Sequence, residues 1–129
     1  MKKRILIIDD DTALLTALKW QLKKRANVLT ADNPAEAERL IAQYKPDIIL
    51  LDVHLNLYKS DYTDSLKLLK KLKQQNSGTD KQRSTETPLV IIITVETDTR
   101  IKRLFLKNGA DKYVNKPITS IEEVLDVSI

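Results

Sequence analysis

The sequence predicts an α/β fold: a doubly wound, five-stranded parallel sheet with helices on both faces. Three observations carry that expectation. Strand-like and helix-like segments alternate five times along the chain without an internal repeat, the order that gives parallel strands joined by right-handed helical crossovers. The strand-like segments are uninterrupted apolar runs, not the apolar–polar alternation of a sheet with one wet face. Several of these runs stop abruptly on a charged or hydroxyl residue, as strands do where they emerge at the edge of an open sheet.

Arg4 to Ile8 forms the first run and ends in Asp9, Asp10 and Asp11. Thr12 is placed to cap the next helix, whose stripe is Leu14, Leu15, Leu18 and Leu22. Trp20 falls off that stripe and reads as a partly exposed packing residue. Asn27 to Ala31 is a short β-leaning segment, after which Asp32 or Asn33 caps a helix with Pro34 in its first turn. Ala37, Leu40, Ile41 and Tyr44 are its inward positions. Pro46-Asp47-Ile48-Ile49-Leu50-Leu51-Asp52 is the central strand. Burying a bare carboxylate is costly, so Asp52 belongs at the strand's end, where a cation or a donor can meet it.

A loop from about Val53 to Thr63 leads to a helix opened by Thr63 or Asp64. Leu66, Leu69 and Leu72 share its inner face, with Leu68 beside them. Gln74 to Thr87 is polar, contains Gly78 and reads as a long loop, uncommon inside a compact domain. Leu89 to Ile93 is the most β-rich run and ends on Thr94. The next helix covers about Thr99 to Lys107, with Ile101, Leu104 and Phe105 on its apolar side and Gly109 placed to terminate it. Lys112 to Val114 is the last strand, followed by Asn115, Lys116 and Pro117. Ser120 to Ile129 has room for about two turns of helix.

The bulk properties set bounds. A chain of 129 residues is expected to be one domain, residues 1–129, and 42% apolar with 31% charged residues is ordinary globular composition. No stretch approaches the length that spans a bilayer, so no membrane insertion is expected. The basic start Met1 to Arg4 is followed by an apolar run that stops at Asp9, too early for a secretory signal. The lack of cysteine excludes a disulfide scaffold and a thiolate metal site and fits a cytoplasmic location. The net charge of +4 is modest. Its lysines and arginines cluster along helices (Lys19, Lys23, Lys24, Arg25; Lys67, Lys70, Lys71, Lys73; Arg100, Lys102, Arg103, Lys107) without interleaved aromatics. They read as solvated faces, and no direct nucleic-acid contact is expected.

The strand ends carry the chemistry. In a doubly wound sheet these ends share one edge, and ligands bind in the crevice outside it. Asp9 and Asp10, Asp52, Thr94 and Lys116 therefore converge. Three crowded carboxylates raise one another's pKa unless a cation offsets them, and oxygen-only ligation suits Mg²⁺. An aspartate beside such an ion can attack phosphorus and form an acyl phosphate. Phosphoryl transfer then needs charge stabilisation on the non-bridging oxygens, with Lys116 as a point charge and Thr94 as a hydroxyl donor. Singly, each residue has a plainer reading: a turn aspartate, a β-branched strand filler, a surface lysine. Packing alone does not require all of them on one edge.

These segments resemble the receiver domain of two-component response regulators. Ile5-Leu6-Ile7-Ile8-Asp9-Asp10-Asp11 is similar to its acidic-pair strand, and Pro46 to Asp52 to its phosphoacceptor strand. Val90 to Thr94 resembles its hydroxyl-bearing strand, and Gly109-Ala110-Asp111-Lys112-Tyr113-Val114-Asn115-Lys116-Pro117 its lysine motif. The resemblance runs over nearly the whole chain. It implies the flavodoxin-like strand order 2-1-3-4-5 and a phosphoacceptor, Asp52, charged by a histidine kinase or a histidine phosphotransfer protein. It implies that Asp10, Asp52 and the backbone carbonyl of His54 ligate Mg²⁺, with Asp9 acting through water. Thr94 and Lys116 would contact the phosphoryl oxygens, and Tyr113 would be the rotating aromatic that couples phosphorylation to the face of the fourth helix and fifth strand. His54 and Glu96, each two residues past a site residue, would tune hydrolysis of the acyl phosphate. Catalysis would be limited to self-phosphorylation and self-dephosphorylation, and the output would pass to a downstream protein.

Four departures from the family stand out. Asn56 occupies a position commonly held by proline. Asp64-Ser65 replaces an Asp-Gly pair and falls later, enlarging the loop beside the site. Val95 replaces a small residue and narrows access, and the last helix is short. Two other readings use the same residues. One is a degenerate receiver that only docks partners. The other is a haloacid-dehalogenase-type phosphatase, which needs further acids after the lysine; only Glu122, Glu123 and Asp126 follow it here.

Overall fold

Uninterrupted apolar runs have one stable place in this chain, between two layers of helix. The computed structural model describes residues 2–55, 62–74, 87–118 and 120–125. Strands β1 (Lys3–Ile8), β2 (Ala26–Ala31), β3 (Ile48–Leu51), β4 (Leu89–Thr94) and β5 (Lys112–Asn115) form one parallel sheet in the order β2-β1-β3-β4-β5. This is the order that the resemblance implied. Between them run α1 (Thr12–Leu22), α2 (Pro34–Tyr44), α3 (Thr63–Gln74) and α4 (Thr99–Lys107), with α5 (Ile121–Leu125) at the end.

Side chains alternate along each strand, so the runs feed two cores. Leu6, Ile8, Ile49, Leu51, Val90 and Ile92 meet Leu40 of α2, Leu68, Leu69 and Leu72 of α3 and Phe105 of α4. Ile5, Ile7, Ile48, Leu50, Ile91 and Ile93 meet Leu15, Leu18 and Leu22 of α1 and Ile121 and Val124 of α5. Each such side chain contributes about 1.5–3 kcal/mol on burial. A one-residue slip of any central strand would exchange the two faces, so the cores fix the register. That register decides where the polar strand ends fall.

Local signals set the helix ends. Asp11, not Thr12, caps α1, its Oδ1 accepting from the Leu14 N–H at 3.2 Å. A carboxylate there suits the partial positive charge of the helix N-terminus better than a hydroxyl does. Asn33 caps α2 ahead of Pro34, and Asp98 caps α4. Helix α4 ends in a Schellman turn: Ala110 N–H donates to Phe105 O and Gly109 N–H to Leu106 O, both at 3.1 Å, with Gly109 at φ 110°.

Two inward assignments need correction. The buried stripe of α3 is Ser65, Leu68, Leu69 and Leu72, with Leu66 only at its margin. Tyr44, at the last position of α2, is 37% exposed and gives its carbonyl to Arg4 Nη1 at 2.6 Å. Trp20, off the α1 stripe, is 65% exposed, partly exposed as expected, with the Lys23 ammonium 3.5 Å above its ring. The stretch after Asp52 also starts as core rather than open loop, because Val53 and Leu55 are buried. Asn56, most of the 53–63 and 74–87 loops and the end of the last helix lie outside the described residues.

Candidate functional site

The ladder carries the strand ends to one level. Ile8 pairs with Leu51, Asp52 N–H donates to Ile8 O, and Asp9 N–H donates to Ala31 O, both at 3.1 Å. Thr94 pairs with Asn115, and Lys116 N–H donates to Thr94 O at 2.8 Å. Asp9, Asp52, Thr94 and Lys116 thus project from the carboxyl edge of four neighbouring strands. A cis peptide joins Lys116 to Pro117.

Asp9 and Asp52 are 3% and 6% exposed, an unusual position for bare carboxylates. One carboxylate oxygen from each of Asp9, Asp10 and Asp52 lies within 4.8 Å of the others. The Lys116 ammonium donates to Asp9 Oδ2 at 2.7 Å and to Asp52 Oδ2 at 3.1 Å. Asp11 N–H donates to Asp9 Oδ1 at 2.9 Å and His54 N–H to Asp52 Oδ1 at 3.3 Å.

These donors do not balance the acids. Burial pushes the Asp9 carboxyl up to about 6 in spite of Lys116 and the Asp11 N–H. Burial and then the charge of Asp52 raise Asp10. Burial by itself would lower Lys116, but its bond to Asp9 and the charges of Asp52 and Asp9 hold it above the usual lysine range. A firmly protonated lysine among under-neutralised carboxylates has room electrostatically for more positive charge. An all-oxygen set within one ion's reach suits a hard divalent cation such as Mg²⁺.

Around this centre stand the other predicted residues. Thr94 is buried, its hydroxyl accepting from Glu96 N–H at 3.2 Å. His54 Nε2 meets Glu96 Oε1 at 2.8 Å. Tyr113 donates its hydroxyl to Glu96 O at 3.2 Å, and the Lys102 ammonium sits 5.8 Å from its ring. Burial, then the charges of Glu96, Asp52 and Asp98, push the Tyr113 phenol up to about 12. Val95 is exposed beside the pocket.

The structure adds two residues that sequence reasoning missed. Ser65 is buried and donates its hydroxyl to Asp52 O at 2.6 Å, pinning the end of β3 to the start of α3. A polar residue where the family has glycine was the available signal. Asn115 donates its side-chain amide to Glu96 O at 2.6 Å and to Thr94 O at 3.3 Å.

A five-stranded parallel α/β sheet with an acidic pocket and a lysine at its carboxyl edge defines a class of signalling domain. The response regulator receiver domain profile matches residues 5–127, and the chain belongs to that family. It is 31% identical over 123 residues to the alkaline phosphatase synthesis transcriptional regulatory protein PhoP of Bacillus subtilis, covering 95% of this chain and 45% of that one. It is 35% identical over 118 residues to the transcriptional regulatory protein KdpE of Staphylococcus aureus, covering 91% and 45%. The chain spans about half the length of the curated relatives it matches.

Among solved structures it is similar to a Burkholderia pseudomallei response regulator protein with a phosphorylated aspartic acid, a calcium ion and citrate. That match has a TM-score of 0.79 at 26% identity, over 98% of this chain and 66% of the other. It is also similar to the Francisella response regulator 1452 receiver domain, with a TM-score of 0.75 at 28% identity over 98% and 93%. The chain is a receiver domain of two-component response regulators, a signalling domain rather than a metabolic enzyme, and its Asp9, Asp10 and Asp52 pocket is consistent with a phosphoacceptor site. Neither the docking-only nor the dehalogenase-type reading gains support. Among the described residues no helix is long and apolar enough to cross a membrane.

Proposed function

We propose that Asp52 is the phosphoacceptor. It takes a phosphoryl group from a phosphohistidine of a histidine kinase or phosphotransfer protein, and the conformation of the α4–β5 face changes as a result. The observation that carries this reading is the buried Asp52 carboxylate, 3.1 Å from the Lys116 ammonium and inside the Asp9–Asp10 oxygen cluster. An Asp52 oxygen attacks phosphorus as the P–N bond breaks, and the electron pair leaves on the donor imidazole, which then takes up a proton. Asp10, Asp52 and the His54 carbonyl would hold Mg²⁺, with Asp9 acting through water, and the ion would supply charge neutralisation on the transferring oxygens.

Lys116 steadies a non-bridging oxygen from one side and Thr94 donates its hydroxyl from the other. As Thr94 turns its hydroxyl toward those oxygens it draws on the Glu96 N–H that it accepts, which moves the β4–α4 loop and the Tyr113 hydroxyl bonded to Glu96. His54 and Glu96 stand at the mouth and govern the approach of water to the acyl phosphate. The receiver occupies the whole chain in this reading and works in the cytoplasm. Its output goes to a downstream protein or a further domain.

Acetyl phosphate or a phosphoramidate with Mg²⁺, followed by intact-mass measurement, tests the proposal. A single added phosphoryl group that requires Mg²⁺ and disappears in Asp52→Asn is expected. No adduct with either donor, under conditions where hydrolysis is shown to be slower than detection, would reject it.

A further inference from the structure

Glu96 uses all of its polar groups to join three parts of the molecule. Its Oε1 bonds His54 Nε2 at 2.8 Å, and its Oε2 accepts the Asp98 N–H at 2.9 Å. Its carbonyl accepts from the Tyr113 hydroxyl and the Asn115 amide, and its own N–H donates to Thr94. The Asp98 N–H and the His54 ring hold the Glu96 carboxyl below the usual glutamate range. An ionised carboxylate only accepts, so His54 Nε2 carries the hydrogen.

The two ends of this network matter most. His54 N–H donates to Asp52 Oδ1 at 3.3 Å, so its backbone is tied to the phosphoacceptor. Asp98 is the N-cap of α4, its Oδ1 accepting from Arg100 N–H at 2.8 Å. Direct bonds therefore run from Asp52 through the His54 residue and the Glu96 carboxylate to the cap of α4. This path uses side chains that the Thr94 hydroxyl does not touch.

We propose that the His54–Glu96 bond is a second coupling route, carrying the state of Asp52 to the N-terminus of α4 in parallel with the route through Thr94 and Tyr113. The inference rests on the phosphoacceptor reading of Asp52. A phosphoryl group adds three acceptor oxygens beside the His54 N–H and displaces that residue from Oδ1. The His54 ring then draws on Glu96 Oε1. The carboxylate is a rigid plane, so turning Oε1 takes Oε2 off the Asp98 N–H. A contact chain of this kind couples sites only if both ends bias it, and both can be measured.

The test uses the whole chain with beryllofluoride and Mg²⁺ standing in for the phosphoryl group. It reads amide hydrogen exchange at Arg100, Ile101 and Lys102 and the side-chain amide resonance of Asn115. If wild type does not respond at either place and matches Asp52→Asn, the phosphoacceptor reading itself falls. If wild type responds and Asp52→Asn does not, the second route is decided by His54→Ala. That variant is expected to exchange its first α4 amides about three- to tenfold faster before any addition, the effect of losing one hydrogen bond. Most of their further change on addition should vanish while Asn115 still responds.

Glu96→Ala, which removes the acceptor of both bonds whatever the His54 tautomer, should likewise lose the further α4 change on addition. His54→Gln keeps a donor and should restore most of the wild-type behaviour. If the α4 amides of His54→Ala and Glu96→Ala match wild type before and after addition, the second route does not exist.

Discussion

Replacing Asp9 by asparagine should make the metal-free protein more stable, by an amount set by pH. Asp9 is buried, and its carboxyl is pushed from 3.8 to about 6. Below about pH 4 it is protonated in the folded and unfolded chain alike and costs nothing. As pH rises the unfolded chain releases this proton first, so stability is lost through the folded value of about 6. Above that the whole difference acts, about two pH units or ~3 kcal/mol. Asparagine keeps an oxygen for the Asp11 N–H but carries no charge. Lys116 then retains only Asp52, at 3.1 Å; the value of about 6 already nets that lost pairing against burial, so the expected gain is about 1–3 kcal/mol. Urea unfolding in EDTA, followed by far-ultraviolet circular dichroism, measures it, since the single tryptophan, Trp20, is too exposed to report folding by fluorescence. The variant's midpoint should exceed wild type at pH 7.5 and converge on it near pH 4. Added Mg²⁺ should narrow or reverse the ranking, because the variant has lost one carboxylate of the cluster. A variant less stable at pH 7.5 in EDTA, or a gain independent of pH, would refute the claim that this carboxylate is held ionised at a cost.

Two further outcomes follow from contacts around the site. Ser65→Ala removes a buried donor to the Asp52 carbonyl and should cost about 1–3 kcal/mol in the same urea assay; a cost under about 0.5 kcal/mol would show that the carbonyl is readily satisfied by water. Gly109→Ala places a Cβ 2.6 Å from Lys73 Cγ at φ 110°. Lys73 is anchored to Asp111 at 2.8 Å and to Pro88 O at 3.0 Å, so about 1–3 kcal/mol should be lost, seen as a lower Tm; an unchanged Tm would mean that Lys73 swings aside freely.

The elements that could be read in advance were those whose signal is local. The all-buried β3 shows as a pure apolar run because both of its faces are covered, and Asp52 shows because a charge interrupts that run. Lys116 and Thr94 needed topology as well as sequence, since only the strand order brings them beside Asp52. What escaped detection depends on phase or on distant partners. Leu66 drew attention from Ser65, yet the turn that starts α3 rotates Ser65 inward to meet the Asp52 carbonyl. Asn115 stood in the lysine motif with no contact assigned to it, and its partners are carbonyls about twenty positions earlier. Asp11 lost the capping role to Thr12 on paper because both are good caps, and the backbone chose the residue whose oxygen reaches the Leu14 N–H.

The charge of the pocket gives Lys116 a double role under the proposed function. Asp9, Asp10 and Asp52 place three carboxylates against one ammonium, and the excess of negative charge lies where dielectric screening is weak. A phosphoryl donor is itself anionic and would be repelled from such a pocket. Lys116 cannot relieve that repulsion while it bridges Asp9 and Asp52, because both of those bonds use its charge where the carboxylates already are. Neutralising the carboxylates from another source removes the reason for the bridge. The ammonium, on a flexible four-carbon stem, is then free to follow the incoming oxygens. Lys116 thus holds the acids together in the metal-free protein and serves the phosphoryl group once they are neutralised. The dependence of transfer on a divalent ion is in this view a property of how these four side chains are arranged.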